Sequence, residues 1–130
     1  MGSEQMEKKR ILIVDDEEMV RTLLLQAFKF FGYEIETAEN GLEAIKQITM
    51  KAYDLIITDY MMPKMDGLEL IQRIKMLNPS IPVLVVTSDG PEYELLESGA
   101  LACIKKPFNI LDLQKISQNI LDGRPPLTST

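Results

Sequence analysis

No histidine and no tryptophan occur among the 130 residues, and cysteine occurs once, as Cys103. Without an imidazole, Ser-His-Asp and Cys-His nucleophile systems lack their base, and zinc centres built on His and Cys lack their ligands. Any bound metal should therefore be hard and oxygen-bound, Mg²⁺ or Mn²⁺. A single cysteine forms no internal disulfide. Apolar runs are short: none approaches the ~20 residues of a membrane helix or resembles a signal peptide, so a soluble, cytoplasmic protein with no membrane contact is expected. Basic residues are outnumbered 14 to 20, giving a net charge of -6 and a pI near 4.7. Such a surface repels phosphate backbones, so no direct nucleic-acid binding is expected and partners should be proteins.

What is present suffices for one domain, since 45% of the residues are hydrophobic and can fill a single core. Residues 1 to 9 read as a flexible, polar lead and residues 123 to 130 (GRPPLTST) as a flexible tail or the start of a linker. Between them, apolar runs of strand length alternate with stretches of helical period, the pattern of repeated βα units. The strands expected are residues 11–14, 34–38, 55–58, 83–86 and 101–104. The first is continuously apolar, as a strand covered on both faces must be. The second alternates, as suits an edge. Helical stripes follow: Val20, Leu23, Leu24, Ala27, Phe28 and Phe31; then Leu42, Ile45 and Ile48 behind an Asn40 cap; then Leu68, Ile71, Ile74 and Leu77 behind Asp66-Gly67. A short segment over residues 92–98 can form a fourth helix, and Leu113, Ile116 and Ile120 mark a fifth. The fold class is α/β, a (βα)₅ chain with a five-stranded parallel sheet.

Four polar groups stand at the ends of hydrophobic runs: Asp15-Asp16, Asp59, Thr87 and Lys106-Pro107. In a parallel sheet all four emerge at one edge, where open α/β sheets bind ligands. Asp15-Asp16-Glu17-Glu18 also suits a helix N-terminus, through capping and the helix dipole. Asp59 adds a third carboxylate, and like charges about 4 Å apart repel by roughly 4 kcal/mol near a protein surface. Mg²⁺ or Lys106 would relieve that repulsion, and Mg²⁺ keeps coordination room for a phosphoryl oxygen. Asp54 precedes the third strand, at the opposite end from Asp59, and reads as a solvated turn residue. Thr87 and Lys106, taken singly, also fit a turn hydroxyl and a surface lysine.

The run Asp59-Tyr60-Met61-Met62-Pro63-Lys64-Met65-Asp66-Gly67 matches the D-x-x-M-P-x-M-D-G signature of response-regulator receiver domains. With Asp15-Asp16, Thr87 and Lys106-Pro107, the chain resembles that CheY-like family over residues 10 to 122. The resemblance implies a doubly wound sheet of order 2-1-3-4-5 and a cis Lys106-Pro107 peptide. It implies that Asp59 accepts a phosphoryl group from a histidine kinase or phosphotransfer protein. Asp16, Asp15 (partly through water), Asp59 and the Met61 backbone carbonyl would hold Mg²⁺, while Lys106 and Thr87 would engage the phosphoryl oxygens. Such a domain is a switch read by an output partner or effector domain, not a turnover enzyme.

Three features depart from the family. Cys103 stands three residues before Lys106, where a Tyr or Phe is usual, and reads as a buried hydrophobe with no ring to couple to Thr87. The interval from Thr87 to Lys106 is short by about three residues, nearly one helical turn, so helix four is expected to be shortened, with Gly90-Pro91 opposing an earlier start. Ser88 replaces the usual alanine. The family uses the face of helix four, strand five and helix five for homodimers or targets, so this surface is the one least transferable. Two other functions fit the same fold: a non-switching pseudo-receiver interaction module, and a Mg²⁺-dependent phosphohydrolase with an aspartyl nucleophile. A flavodoxin-like cofactor protein fits poorly, because acidic residues stand where a phosphate-binding loop would follow the first strand.

Overall fold

The computed structural model of the chain describes residues 8–126. The expected lead and tail lie partly outside that range, at residues 1–7 and 127–130. The elements run β1 (Arg10–Val14), α1 (Glu18–Phe30), β2 (Glu34–Ala38), α2 (Gly41–Met50), β3 (Leu55–Asp59), α3 (Gly67–Leu77), β4 (Val83–Thr87), α4 (Glu92–Glu97), β5 (Ala102–Lys105) and α5 (Ile110–Leu121). The five strands form one parallel sheet in the order β2-β1-β3-β4-β5, as the resemblance implied.

Alternation along the strands explains why they read as unbroken apolar runs. Leu12, Val14, Ile56, Val83 and Val85 face one way, into a cluster with Ala44 and Ile48 of α2, Leu70, Ile71 and Ile74 of α3, and Leu95 of α4. Ile11, Ile13, Leu55, Ile57, Leu84 and Val86 face the other way, onto Leu24 and Phe28 of α1 and Leu113, Ile116 and Ile120 of α5. Each such side chain, fully buried, stabilises the fold by about 1.5–3 kcal/mol before chain entropy is subtracted.

Helix starts follow the capping residues. Asn40 accepts the Glu43 N–H at 2.8 Å, Asp66 accepts that of Glu69 at 2.9 Å, and Asn109 accepts that of Leu111 at 2.7 Å. Gly32 ends α1 at φ +95°, a conformation costly for any residue with a Cβ. The six-residue α4 is the shortest helix and starts behind Pro91.

Several expected positions move. Leu23, Leu42 and Leu77 are half-exposed rather than in the core. In α2 the inward stripe is Gly41, Ala44 and Ile48, which turns Leu42 outward by one residue's rotation of about 100°. Leu77 lies one turn beyond Ile74, the last buried residue of α3. Leu101 precedes β5 and is exposed, although its N–H still bonds the Val83 carbonyl at 2.8 Å. Asp54 is not merely solvated: its carboxylate accepts the Arg10 N–H at 2.8 Å, and its own N–H donates to the Arg10 carbonyl at 2.8 Å. It thereby extends the pairing of β1 with β3 by one residue.

Candidate functional site

The sheet delivers its polar residues to one rim. Asp59, Thr87 and Lys105 are the last residues of β3, β4 and β5, and Asp15 follows β1 directly. Burial at this rim is unusual for carboxylates: Asp15 is 4% exposed and Asp59 8%, beside the buried hydroxyl of Thr87. Carboxylate oxygens of Asp15, Asp16 and Asp59 lie within 4.8 Å of one another, with Asp16 on the solvent side. The Lys106 ammonium is 3.4 Å from Asp59 Oδ1 and 3.8 Å from Asp15 Oδ2. One cation thus faces three carboxylates. The Lys106-Pro107 peptide is cis, and the Lys106 N–H donates to the Thr87 carbonyl at 3.0 Å, fixing the lysine to the end of β4.

Backbone bonds hold the two buried acids. Asp15 Oδ1 accepts the Glu17 N–H at 2.9 Å, and the Asp15 N–H reaches the Ala38 carbonyl at 3.1 Å. Glu17, the N-cap of α1, makes no side-chain capping bond, so the acidic run does not serve as a conventional cap, while Glu18 in the first turn still suits the helix dipole. Asp59 Oδ1 accepts the Tyr60 N–H at 2.8 Å. Behind it, Gly67 is pressed so tightly that a Cβ would lie 2.8 Å from the Asp59 carbonyl oxygen and 2.9 Å from Tyr60 Cα, while its N–H bonds the Tyr60 carbonyl at 2.7 Å. That contact is the reason a glycine must close the signature. Lys64, inside the same loop, adopts φ 73°.

Burial pushes the Asp15 carboxyl up to about 6; the Glu17 N–H and Lys106 oppose this, and the Asp59 and Asp16 charges add to it. Burial likewise raises Asp59, with the Lys106 charge and the Tyr60 N–H holding it back. A site built for its own stability would not leave two buried acids strained toward protonation. An all-oxygen donor set of three converging carboxylates, insufficiently neutralised by one lysine, fits a hard divalent cation such as Mg²⁺. Asp16, Asp15 and Asp59 are the side chains that could hold it. Met61 lies in the loop after β3 with its side chain 68% exposed, so only its backbone could contribute.

Thr87 accepts the Asp89 N–H at 3.3 Å through its hydroxyl oxygen, leaving the hydroxyl proton available for another acceptor. Cys103 is half-buried, not fully buried as expected. It borders a cavity also lined by Thr87, Ser88, Gly90 and Lys105. One residue escaped the sequence reading: Arg21, one turn into α1, donates to the Asp15 carbonyl at 2.7 Å. An arginine on a helix carries no motif, and only the folded chain reveals its target.

The sequence matches the family model described as response regulator receiver domain over residues 11–118. It is 40% identical over 117 residues to the transcriptional regulatory protein ZraR of Klebsiella oxytoca, covering 88% of this chain and 26% of that protein. It is 38% identical over 112 residues to sporulation initiation phosphotransferase F of Bacillus subtilis (strain 168), covering 84% of this chain and 90% of that protein. Thus the chain spans about a quarter of one relative's length and nearly all of the other's. The solved structure of response regulator protein TrrA from Thermotoga maritima, in complex with Mg(2+)-BeF, shares 37% identity and a TM-score of 0.79, covering 86% of this chain and 98% of that one. Among the described residues, no helix is long and apolar enough to cross a membrane.

Proposed function

The chain belongs to the response regulator receiver domain family, and from that premise we propose that it is a phosphoacceptor of a two-component relay, modified at Asp59. Receiver domains are signalling modules rather than enzymes, and they work with histidine kinases, phosphotransfer proteins and output domains. In this reading the receiver spans residues 10 to 122 and works in the cytoplasm. A phosphohistidine donor loses its P–N bond as the Asp59 carboxylate forms a new P–O bond, and the imidazole nitrogen keeps the electron pair. Asp15, Asp16, Asp59 and the Met61 carbonyl would hold Mg²⁺, which when bound would supply charge neutralisation for the phosphoryl oxygens.

The chain's own groups do the rest. Lys106, 3.4 Å from Asp59 Oδ1, exchanges its carboxylate partner for a phosphoryl oxygen, and the free proton of the Thr87 hydroxyl bonds another. The Tyr60 N–H on Asp59 Oδ1 leaves Oδ2 as the attacking oxygen. Both buried acids are raised by burial, so added positive charge stabilises the ionised form that attack requires. The observation that carries the reading is the convergence of the Asp15, Asp16 and Asp59 carboxylates, two of them paired with the single lysine Lys106. A switch of this kind must move its population far: reversing a 1:99 ratio takes about 5.5 kcal/mol.

A second reading keeps the fold but makes the chain a constitutive interaction module, favoured by Cys103 at the position of the expected aromatic ring and by the six-residue α4. Incubation with a small acyl phosphate and Mg²⁺, followed by intact-mass measurement, separates the two. Wild type should gain one phosphoryl group and Asp59→Asn none. An unlabelled wild type would leave only the module.

A further inference from the structure

The guanidinium of Arg21 is aimed at one peptide. Its Nη1 donates to the Asp15 carbonyl oxygen at 2.7 Å, and that carbonyl belongs to the peptide joining Asp15 to Asp16. Among the described residues, Arg21 forms no ion pair with a carboxylate. It is half-buried, and its own N–H is tied to the Glu17 carbonyl at 3.1 Å by the first turn of α1. The remaining contacts of this loop are the Glu17 N–H on Asp15 Oδ1, the Asp15 N–H on the Ala38 carbonyl and the Lys106 ammonium 3.8 Å from Asp15 Oδ2. They fix the Asp15 side chain and the start of the loop. Nothing among them fixes the next peptide plane, on which the direction of the Asp16 carboxylate depends. Arg21 supplies that constraint, bracing the loop from the helix that follows it.

We infer that Arg21 is a positioning residue for divalent-cation binding, acting through the Asp15–Asp16 peptide to hold the Asp16 carboxylate toward Asp15 and Asp59. The inference rests on the Mg²⁺ reading of the acidic cluster and deepens it. Its value lies in the sign of its consequence. If Arg21 were only a nearby positive charge, removing it would lower repulsion and tighten binding of a cation. As a brace, its removal must weaken binding, because residues that orient metal ligands from behind are worth about 10–100-fold in affinity.

Calorimetric titration with MgCl₂, free of any phosphodonor, decides between these signs. Arg21→Met keeps the apolar stem and helix propensity but has no donor; it should bind Mg²⁺ about tenfold more weakly than wild type. Arg21→Lys keeps the charge while replacing the rigid fork with a shorter, single-point donor; it should fall between the two. Thermal unfolding without Mg²⁺ should be nearly unchanged in Arg21→Lys, so that variant carries the test if Arg21→Met unfolds. Binding by Arg21→Met as tight as wild type or tighter, or wild-type affinity in Arg21→Lys where Arg21→Met cannot be measured, overturns the brace and leaves the proposed relay function intact. Failure of the wild type to bind Mg²⁺ at all overturns the metal reading beneath it as well.

Discussion

Two carboxylates of the same small domain sit in opposite circumstances. Glu36, on the edge strand β2, accepts the Tyr53 hydroxyl at 2.6 Å and the Lys51 ammonium at 2.7 Å. Burial raises its pKa, but those two bonds outweigh burial and hold the carboxyl below its ordinary value. Asp15, at the other end of the chain's polar architecture, has a lysine at 3.8 Å and two other acids as neighbours, and is pushed up to about 6. The same contrast separates the sheet's two ends. At the amino end Arg10 engages Asp54, Glu34 and the Ala52 carbonyl. There, charges are matched by the protein. At the carboxyl end Lys106 faces a cluster of three carboxylates, and this makes the rim the candidate site.

The largest effect should come from neutralising the unmatched group. Asp15→Asn can still accept the Glu17 N–H but carries no charge. The shift from 3.8 to about 6 corresponds to about 2–3 kcal/mol, so urea unfolding at pH 7 without Mg²⁺ should find the variant more stable than wild type by about that amount. The pH dependence has the matching sign. Between pH 4 and 6 the native Asp15 holds a proton that the unfolded chain has released, so its contribution to stability is present at pH 4 and lost by pH 7. Glu36, lowered, contributes above its unfolded pKa and loses that contribution on acidification. Saturating Mg²⁺ should restore the wild type at pH 7, by about 2.7 kcal/mol at a hundredfold excess over Kd, and should do little for Asp15→Asn. Equal stability of the two proteins at pH 7 would erase the contrast.

Gly67 tests whether the site end is rigid as well as charged. Alanine there would drive a Cβ against backbone atoms at 2.8 and 2.9 Å, which cannot rotate away, at a cost of about 1–3 kcal/mol. The same change at Gly41 meets the Met65 sulfur at 2.7 Å, the flexible end of a thioether that can move, and should cost less. Because Gly67 backs onto Asp59 and Tyr60, Gly67→Ala should also slow acyl-phosphate labelling, whereas Gly41→Ala should label nearly as wild type. Thermal midpoints and labelling rates for the pair check both statements.

Legibility in the sequence follows from what each residue does. The strands were legible because both faces are buried, so Ile11, Leu12, Ile13 and Val14 all had to be apolar. Asp15, Asp16, Asp59, Thr87 and Lys106 were legible because a parallel sheet sends the ends of its strands to one rim. The order of strands was not a matter of pattern and came through the family resemblance. Leu42 and Leu77 misled because hydrophobic period marks a stripe about 100° wide and does not say where it ends. The roles of Asp54 and Arg21 escape the pattern for a common reason: the side chain of each bonds a backbone group, 44 residues away for Asp54 and six for Arg21, and side chain to backbone bonds leave no spacing to read.

At the satisfied end the expected effects are smaller. Tyr53→Phe removes the hydroxyl from Glu36 while keeping the buried ring, so it should cost about 1 kcal/mol, the usual net worth of a hydrogen bond. Its stability should fall with no change in Asp59 labelling, because the Tyr53–Glu36–Lys51 group lies away from the acidic rim. A labelling defect in Tyr53→Phe would show that the two ends are coupled and that the contrast between them is too sharp.

Cys103 gives the smallest effect, and its place explains why. It stands on β5 beside Thr87 in the cavity they share, yet it belongs to neither charge pattern. Burial, and then the Glu92 charge, push its thiol up to about 11, so little thiolate forms at neutral pH and alkylation should be much slower than for an exposed cysteine. Removing a half-buried sulfur deletes less than a full methylene's worth of burial, so Cys103→Ala should cost under about 1 kcal/mol and leave labelling of Asp59 at the wild-type rate. Among the described residues, its thiol makes no hydrogen bond to the acids, Thr87 or Lys106. In the proposed relay the reacting groups are those at the strand ends, and Lys106, just past β5 and three positions beyond Cys103, is the one from this strand. A slow-labelling Cys103→Ala would instead place the β5 side chain within the reacting site and draw the boundary between matched and unmatched charge one strand wider.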